Sequence, residues 1–355
     1  MLLETTAGLR IDELTSIEQL EHLRSEWLDL YHRCARTTPF QLPQWLIPWW
    51  KHLGEGQLWT LALRHEGRLV GLAPWFLHMD NQAAARQLLF IGTGNTDYLD
   101  VLLDPDWESE GQVAFFQHLE ANSTLWDRCD WQQLRGESTL LRAPLAGQWD
   151  NHISVQDVCP VLKLPSHLES LSQAVPGHML EKLRFYWRRA EKLGRVEITR
   201  ACKGNLRELF CAHVELHRVR WLSRGQPGML NEERIARFQA EAASEMLANG
   251  VLRLSALRLA DRPIGTLFAL ADRRAAFYYL GGFDPEFAPI SPGTLLIGDA
   301  IEQAIREQLN EFDFLRGCEA YKYRWGAKNR LNYRCQFESS PARTGSEIGT
   351  MNLFR

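Results

Sequence analysis

The chain carries one architecture twice. Ala62-Leu63-Arg64, Arg68 and Gly71 recur with the same internal spacing as Ala256-Leu257-Arg258, Arg262 and Gly265. In each copy an alternating strand, a polar turn (His65-Glu66-Gly67 or Ala260-Asp261) and a second apolar strand predict a hairpin. A second echo follows in the same order, Asp130-Trp131-Gln132-Gln133-Leu134-Arg135-Gly136 against Phe312-Asp313-Phe314-Leu315-Arg316-Gly317. An amphipathic segment separates hairpin from echo in both copies, at Gln112–Glu120 and Leu295–Leu309. Helical segments also precede the hairpins, around Ile17–Cys34 and Leu206–Trp221. Two matched windows at nearly one offset predict two similar domains rather than a solenoid, whose units are far shorter. The length of 355 residues agrees, at about 150 residues per domain. The join is expected at Gln148–Ser166, a polar stretch leading into Val161-Leu162-Lys163-Leu164, which reads as an extra strand. Domains at 1–155 and 156–355 follow.

Composition narrows the class. A hydrophobic content of 45% with 24% charged residues fits a globular protein, and a net charge of −4 gives no general attraction to DNA or RNA. No apolar run approaches the roughly 20 residues that cross a bilayer, and Met1–Arg10 lacks a secretory pattern. Seven scattered cysteines, an odd number, fit reduced thiols and a cytoplasmic location. Of the 13 Trp, those at Trp45, Trp49 and Trp50 read as anchors of a helix packed on a sheet.

The densest chemistry lies between Tyr278 and Trp325. Ala276–Leu280 reads as a buried strand that Gly281-Gly282-Phe283-Asp284-Pro285-Glu286 breaks. Ile290-Ser291-Pro292-Gly293-Thr294 then has the chemistry of a helix start: Ser291 can cap, Pro292 suits the first helical position, and Gly293 admits a ligand to the backbone. Ile297, Ile301, Ala304, Ile305 and Leu309 form one face of that helix. The next strand, Phe312–Leu315, leads to Arg316, Glu319, Tyr321 and Lys322. Free N–H groups at a helix start between two strands suit phosphate or carboxylate.

With those residues in view, the chain resembles the CelD-like acyltransferases of the GNAT superfamily, associated with cellulose and exopolysaccharide genes. In the first half the resemblance rests on Pro39-Phe40-Gln41, Trp45, Trp49-Trp50, Gly67–Pro74 and Asp97-Tyr98-Leu99-Asp100. In the second it rests on Leu216-His217, Arg220-Trp221, Gly282–Pro285, Ser291-Pro292-Gly293, Phe312–Phe314, Gly317 and Tyr321-Lys322. It also resembles, more distantly, the FemABX peptidyl transferases, which take an aminoacyl group from tRNA. The resemblance implies an α/β protein of tandem GNAT folds, each a mixed sheet flanked by helices. It also implies acetyl-CoA or another acyl-CoA as co-substrate. The usual basic residue of the GNAT pyrophosphate loop is absent from Ser291-Pro292-Gly293-Thr294, and Gly92-Thr93-Gly94 does not open a helix. The first domain is therefore expected to shape the substrate cleft, and the second to bind cofactor.

Acyl transfer from a thioester needs a phosphate cradle, polarisation of the carbonyl, and removal of a proton from the attacking amine. The cradle candidates are Ser291 and the amides of Gly293, Thr294 and Leu295. Asp284, Glu319, Tyr321 and His217 are the catalytic candidates, although Asp284 before a proline equally suits a turn. Arg220, Trp221, Arg316 and Lys322 are the substrate-binding candidates, and a mid-strand Asp313 needs a partner such as Arg316 or Lys322. His213 and His217 share a helix face, but no third ligand is evident and no metal is expected. His178–Lys192 interleaves Lys182, Arg184, Arg188, Arg189 and Lys192 with aromatics; it reads as a solvated basic face or as a contact for tRNA or lipid phosphate. The leading expectation is an N-acyltransferase acting on a small-molecule or sugar amine. Aminoacyl transfer from tRNA and a non-catalytic role in exopolysaccharide synthesis are the alternatives.

Overall fold

The computed structural model describes residues 8–142 and 151–338. The first half runs β1 (Leu9–Leu14), α1 (Ile17–Arg33), α2 (Pro43–Leu53), β2 (Gln57–Leu58), β3 (Thr60–His65) and β4 (Arg68–Ala73). It continues through β5 (Trp75–Asp80), β6 (Ala85–Phe90), β7 (Leu102–Leu103), α3 (Glu108–Ala121) and β8 (Arg128–Arg135). The second half runs β9 (Asn151–Lys163), α4 (Leu171–Ala174), α5 (Gly177–Glu191), β10 (Val196–Arg200), α6 (Leu206–Leu222) and α7 (Glu233–Ala248). Then come β11 (Leu252–Leu259), β12 (Arg262–Ala271), β13 (Ala275–Phe283), α8 (Pro292–Arg306), β14 (Glu311–Asp313), α9 (Ala320–Arg324) and β15 (Lys328–Glu338).

Local sequence starts and aims these elements. At α1, Ser16 and Gln19 satisfy each other's backbone N–H, while Leu20, Leu23, Trp27 and Leu30 turn one stripe inward. The duplication extends to single residues. The register of both hairpins slips by one, at Val70 between β3 and β4 and at Ile264 between β11 and β12. Arg64 donates to the Gly67 carbonyl at 2.8 Å, and Arg258 to the Asp261 carbonyl at 2.6 Å. Each also pairs with a glutamate on an earlier helix of its half, Glu26 of α1 or Glu208 of α6.

The halves part company in the strand that precedes α3 and α8. β13 runs unbroken to Phe283, through the Gly281-Gly282 pair expected to end it, and bulges at Tyr279. In the first half the same course is cut into β6, paired with β5 and β8, and β7, paired with β4. The intervening residues 91–101 leave their own half and lodge against the other. There the Asn95 carbonyl accepts from the Tyr279 hydroxyl at 2.5 Å, and Tyr98 donates to Asp313 at 2.7 Å.

The halves also share strands. β9 pairs antiparallel with β14 and β15, while β15 pairs with β9 and β8. The first half's sheet is thus continued by β15, the last strand of the second half, and β9 joins β15 to β14. The result is one 11-stranded sheet, β10-β11-β12-β13-β14-β9-β15-β8-β6-β5-β2, beside a four-stranded one, β1-β3-β4-β7. The expected strand at Val161–Leu164 is the end of the 13-residue β9; a division at 155/156 falls inside it, and residues 148–150 of the expected join lie outside the described residues.

A central core spans both halves, joining Trp27, Phe40 and Trp45 to Phe238, Phe268 and Phe277. Trp45 sits edge-on to Phe238 of α7 at 4.9 Å, and its Nε1 donates to Thr96. Trp49 and Trp50 meet Phe76 of β5, so α2 serves both a helix and a sheet. Two outer cores lie under α3, around stacked Trp75 and Trp131, and under α8 and α5.

Candidate active site

β13 and β14 pair in parallel over only three residues each, Ala275–Phe277 against Glu311–Asp313. Beyond that the strands separate, because Leu315 takes a left-handed φ of 55° and turns the chain away. A cavity of about 450 Å³ opens in the gap, with Tyr278–Gly281 on one wall and Phe314–Arg316 on the other. α6 closes one side with His217, Arg220 and Trp221, and the first half contributes Asp97. The backbones of α6 and β13 nearly touch: a Cβ on Gly282 would sit 2.3 Å from the His217 nitrogen. Glycine at 282 is what lets α6 reach the gap.

Seven of the residues singled out in the sequence meet in this cavity: His217, Arg220, Trp221, Arg316, Glu319, Tyr321 and Lys322. Their roles divide on geometry. Lys322 is buried, and its ammonium reaches the carbonyls of Leu315, Arg316 and Gly317 at 3.1, 2.7 and 3.2 Å and Glu319 at 3.0 Å. An ammonium has three N–H donors, so none is left for a substrate anion. Lys322 thus ties the chain together at the β14 exit. Arg316 faces Asp97 at 3.1 Å and donates to the Gly94 carbonyl at 3.0 Å. Arg220 donates to the Gly281 carbonyl at 2.9 Å and lies 5.1 Å over the Phe283 ring. Asp313 is fully buried, and its partners are Tyr98, Arg330 and the Leu315 N–H; the expected pairing with Arg316 or Lys322 does not form.

The titrating groups are tuned by burial. Burial, with Arg220 adding to it, lowers His217 to about 4, so the ring is neutral at pH 7, and among the described residues its Nδ1 has no hydrogen-bond partner. The Asp97 carboxyl is pushed up by burial against the pull of Arg316 and Lys322. The Tyr278 hydroxyl touches both Arg220 and Tyr321, and burial raises both phenols above their ordinary range. Gly281 leaves room for that hydroxyl, since a Cβ there would lie 2.4 Å from it. Asp97 and Tyr278 were not among the candidate site residues. Asp97 stood in the sequence only within Asp97-Tyr98-Leu99-Asp100, and nothing local shows that it crosses into the other half.

Asp284 lies outside the cavity. It accepts from the Glu286 N–H at 3.0 Å and pairs with Arg262. The first half repeats this arrangement: Asp104 accepts from the Asp106 N–H at 3.2 Å and faces Arg68 at 3.9 Å. The same device stands in both halves, both times before proline, as a turn carboxylate would, and the expected catalytic Asp284 does not line the cavity. The α8 start also differs from expectation. Ser291 adopts a left-handed φ of 49° and makes no side-chain cap; its hydroxyl pairs with that of Thr294 at 2.8 Å. The N–H groups of Thr294 and Leu295 already reach the Ser291 carbonyl, at 2.9 and 3.3 Å, so they are not the free donors expected. Leu295 is buried in the core beneath α8. Gly293 faces open space, with nothing within 4 Å of where a Cβ would stand.

Residues 177–323 match the family described as "Acetyltransferase (GNAT) domain". This region holds α5 through α9, including the splayed strands and α6. Among solved structures, FemX is similar over 88% of this chain and 95% of its own, at 10% identity and a TM-score of 0.66. A tandem GNAT protein from the clavulanic acid biosynthesis pathway, solved without AcCoA, aligns over 94% of this chain and 99% of its own, at 14% identity and a TM-score of 0.50. The C-terminal domain of a putative lysylphosphatidylglycerol synthetase from Agrobacterium fabrum aligns over 90% of this chain and 92% of its own, at 11% identity and a TM-score of 0.55. None of the curated proteins matches the chain in sequence. The fold is a mixed α/β tandem GNAT, and the second half holds a GNAT acyltransferase domain. GNAT domains use acyl-CoA donors, and among the described residues no helix is long and apolar enough to cross a membrane.

Proposed function

We propose that the protein transfers an acyl group, acetyl first among them, from acyl-CoA to the amine of a small molecule or sugar precursor at the β13–β14 gap. The observation that carries this reading is the cavity itself. Two parallel strands part after three paired residues and enclose neutral His217, buried Asp97 and two proton-holding phenols. The amine attacks the thioester carbonyl carbon, the C–S bond breaks, and an amide and a thiol result. Asp97, its proton affinity raised by burial, receives the proton of the incoming ammonium. The Tyr278–Tyr321 pair returns a proton to the departing thiolate. Arg316 orients Asp97, and His217, Arg220 and Trp221 line the acceptor side, while Glu319 stands exposed at the mouth.

The cofactor's phosphates fit α8 better than α3. The first turn of α8 carries no acid, whereas that of α3 carries Glu108 and Glu110, which repel phosphate. We therefore assign the cofactor to the half from residue 156 and cleft shaping to residues 1–155, whose excursion supplies Asp97. Isothermal titration with acetyl-CoA, with desulfo-CoA as a control for the thiol, tests the reading. Gly293→Asp enters open space, so it adds a negative charge without a clash. Binding by the parent and a loss of at least tenfold in the variant is the expected result. No binding by the parent to either compound would refute the proposal and favour an aminoacyl-tRNA donor or a non-catalytic role.

A further inference from the structure

The acyl-transfer reading leaves the outer face of α5 unexplained. α5 buries Met179, Leu183 and Ala190 and seats Leu183 against Gly298 of α8, where a Cβ would be 2.7 Å away. Its opposite side carries Lys182, Phe185, Arg188, Arg189 and, at the cap, Lys192, at steps of three, three, one and three residues. That spacing puts all five on one stripe. Phe185 is half exposed, with cations before and after it, and Leu193 just beyond the cap is 57% exposed. Five arginines on other helices find acids on their own helix: Arg24 pairs with Glu21, Arg33 with Asp29, Arg218 with Glu215, Arg237 with Glu233 and Arg306 with Glu302. Among the described residues, Lys182, Arg184, Arg188, Arg189 and Lys192 show no ion pair, although Glu181 and Glu191 lie on the same helix.

From this we infer that α5 is a docking face for an anionic lipid surface. A 15-residue helix is about 22 Å long and presents a convex cylinder. Proteins that hold single-stranded nucleic acid without sequence preference run the strand along a cationic groove floored by aromatic rings; here the cations stand on a ridge with a single exposed ring among them. A convex stripe with an exposed phenyl ring at its middle and long cationic side chains around it matches the plane of lipid headgroups, with the ring at the acyl boundary and the cations on phosphate. Leu193 extends the apolar strip past the helix end. The chain's net charge of −4 opposes nonspecific adhesion, so the pull of this face on an anionic surface sets one orientation.

The test uses the full chain and co-sedimentation with vesicles of phosphatidylcholine alone or mixed with phosphatidylglycerol, at low and physiological salt. Binding is expected only with the anionic lipid, and it should weaken as salt rises. Each cation near such a surface contributes about fivefold in affinity, so Arg188→Gln with Arg189→Gln should weaken binding about 25-fold. Phe185→Ala should weaken it about tenfold, because the ring no longer enters the boundary. These side chains are exposed, so thermal melts of the variants report whether folding is intact. Absence of vesicle binding, equal binding to neutral vesicles, or binding unmoved by the double variant would overturn the proposal. So would retention of tRNA on a filter that the double variant abolishes while vesicles are not bound.

Discussion

Replacing Tyr98 by Phe removes one oxygen at the seam between the halves. The Tyr98 hydroxyl donates to Asp313 Oδ2 at 2.7 Å, and both side chains are almost wholly buried. The ring stays where it packs, edge-on to Phe277 and beneath Arg135. The other Asp313 oxygen keeps the Leu315 N–H at 2.8 Å, and Oδ2 keeps Arg330 at 3.2 Å, so no oxygen is orphaned. The loss is then one hydrogen bond to a charged group, about 2 kcal/mol. Burial, opposed by Tyr98 and Arg330, raises the Asp313 carboxyl to about 6. A raised carboxyl holds its proton more tightly in the native state than in the unfolded chain, so its own contribution falls as pH climbs from about 4 to about 6. The Tyr98 bond follows the opposite course, because it is strongest to the ionised carboxylate. The difference between parent and variant should be about 2 kcal/mol at pH 8 and about 1 kcal/mol at pH 5, read by urea unfolding at each pH. A difference below about 0.5 kcal/mol at pH 8, or one that grows on acidification, would refute this account of the seam.

Other substitutions probe the cavity and its supports. Lys322→Met leaves the carbonyls of Leu315, Arg316 and Gly317 without their donor; we expect a loss of about 3 kcal/mol in thermal or chemical unfolding, and a surface lysine would give almost none. Gly282→Ala drives a methyl into the His217 backbone at 2.3 Å and should cost about 3 kcal/mol, while Gly293→Ala, in open space, should leave the melting midpoint unchanged or slightly raised. Burial holds His213 near 3 and His217 near 4, so the unfolded chain takes up these protons first and stability declines as pH falls from about 6.5 toward 4; His217→Gln should flatten that decline in melts recorded across the range. If Asp97 receives the amine's proton, Asp97→Asn should lower kcat at least 100-fold with acetyl-CoA affinity kept, and an equal fall in affinity would reassign Asp97 to folding alone.

Local pattern carried much of this fold. The hairpins were readable because Arg64 and Arg258 sit at matched offsets from turns they close themselves. Arg316, Glu319, Tyr321 and Lys322 were readable because they cluster behind one strand, and His217, Arg220 and Trp221 because the resemblance groups them on one helix. Other features depend on distant partners, which periodicity does not report. Gly281-Gly282 reads locally as a strand breaker, but Gly282 admits the approach of α6 and Gly281 the Tyr278 hydroxyl. Lys322 reads as a substrate-binding cation, but three carbonyls from a turn five to seven residues earlier enclose it. Asp97 joins the site through an excursion whose destination is written in Tyr279, Asp313 and Arg316, far along the chain. Asp284 reads both as a turn residue and as a proton acceptor, because the two look alike in sequence until the ion pair with Arg262 is seen.

The pairing of β15 with β8 imposes an order on synthesis. β8 is finished at Arg135, yet its neighbour β15 begins only at Lys328. At about 5–20 residues per second, a ribosome holds the first sheet open-edged for roughly 10 s or more. An edge exposed that long invites a wrong strand, and the closing contact is among the most distant the chain makes. Chaperone demand should therefore peak before the last strand emerges. A chain truncated ahead of Lys328 should be recovered in aggregates, not as a smaller folded domain.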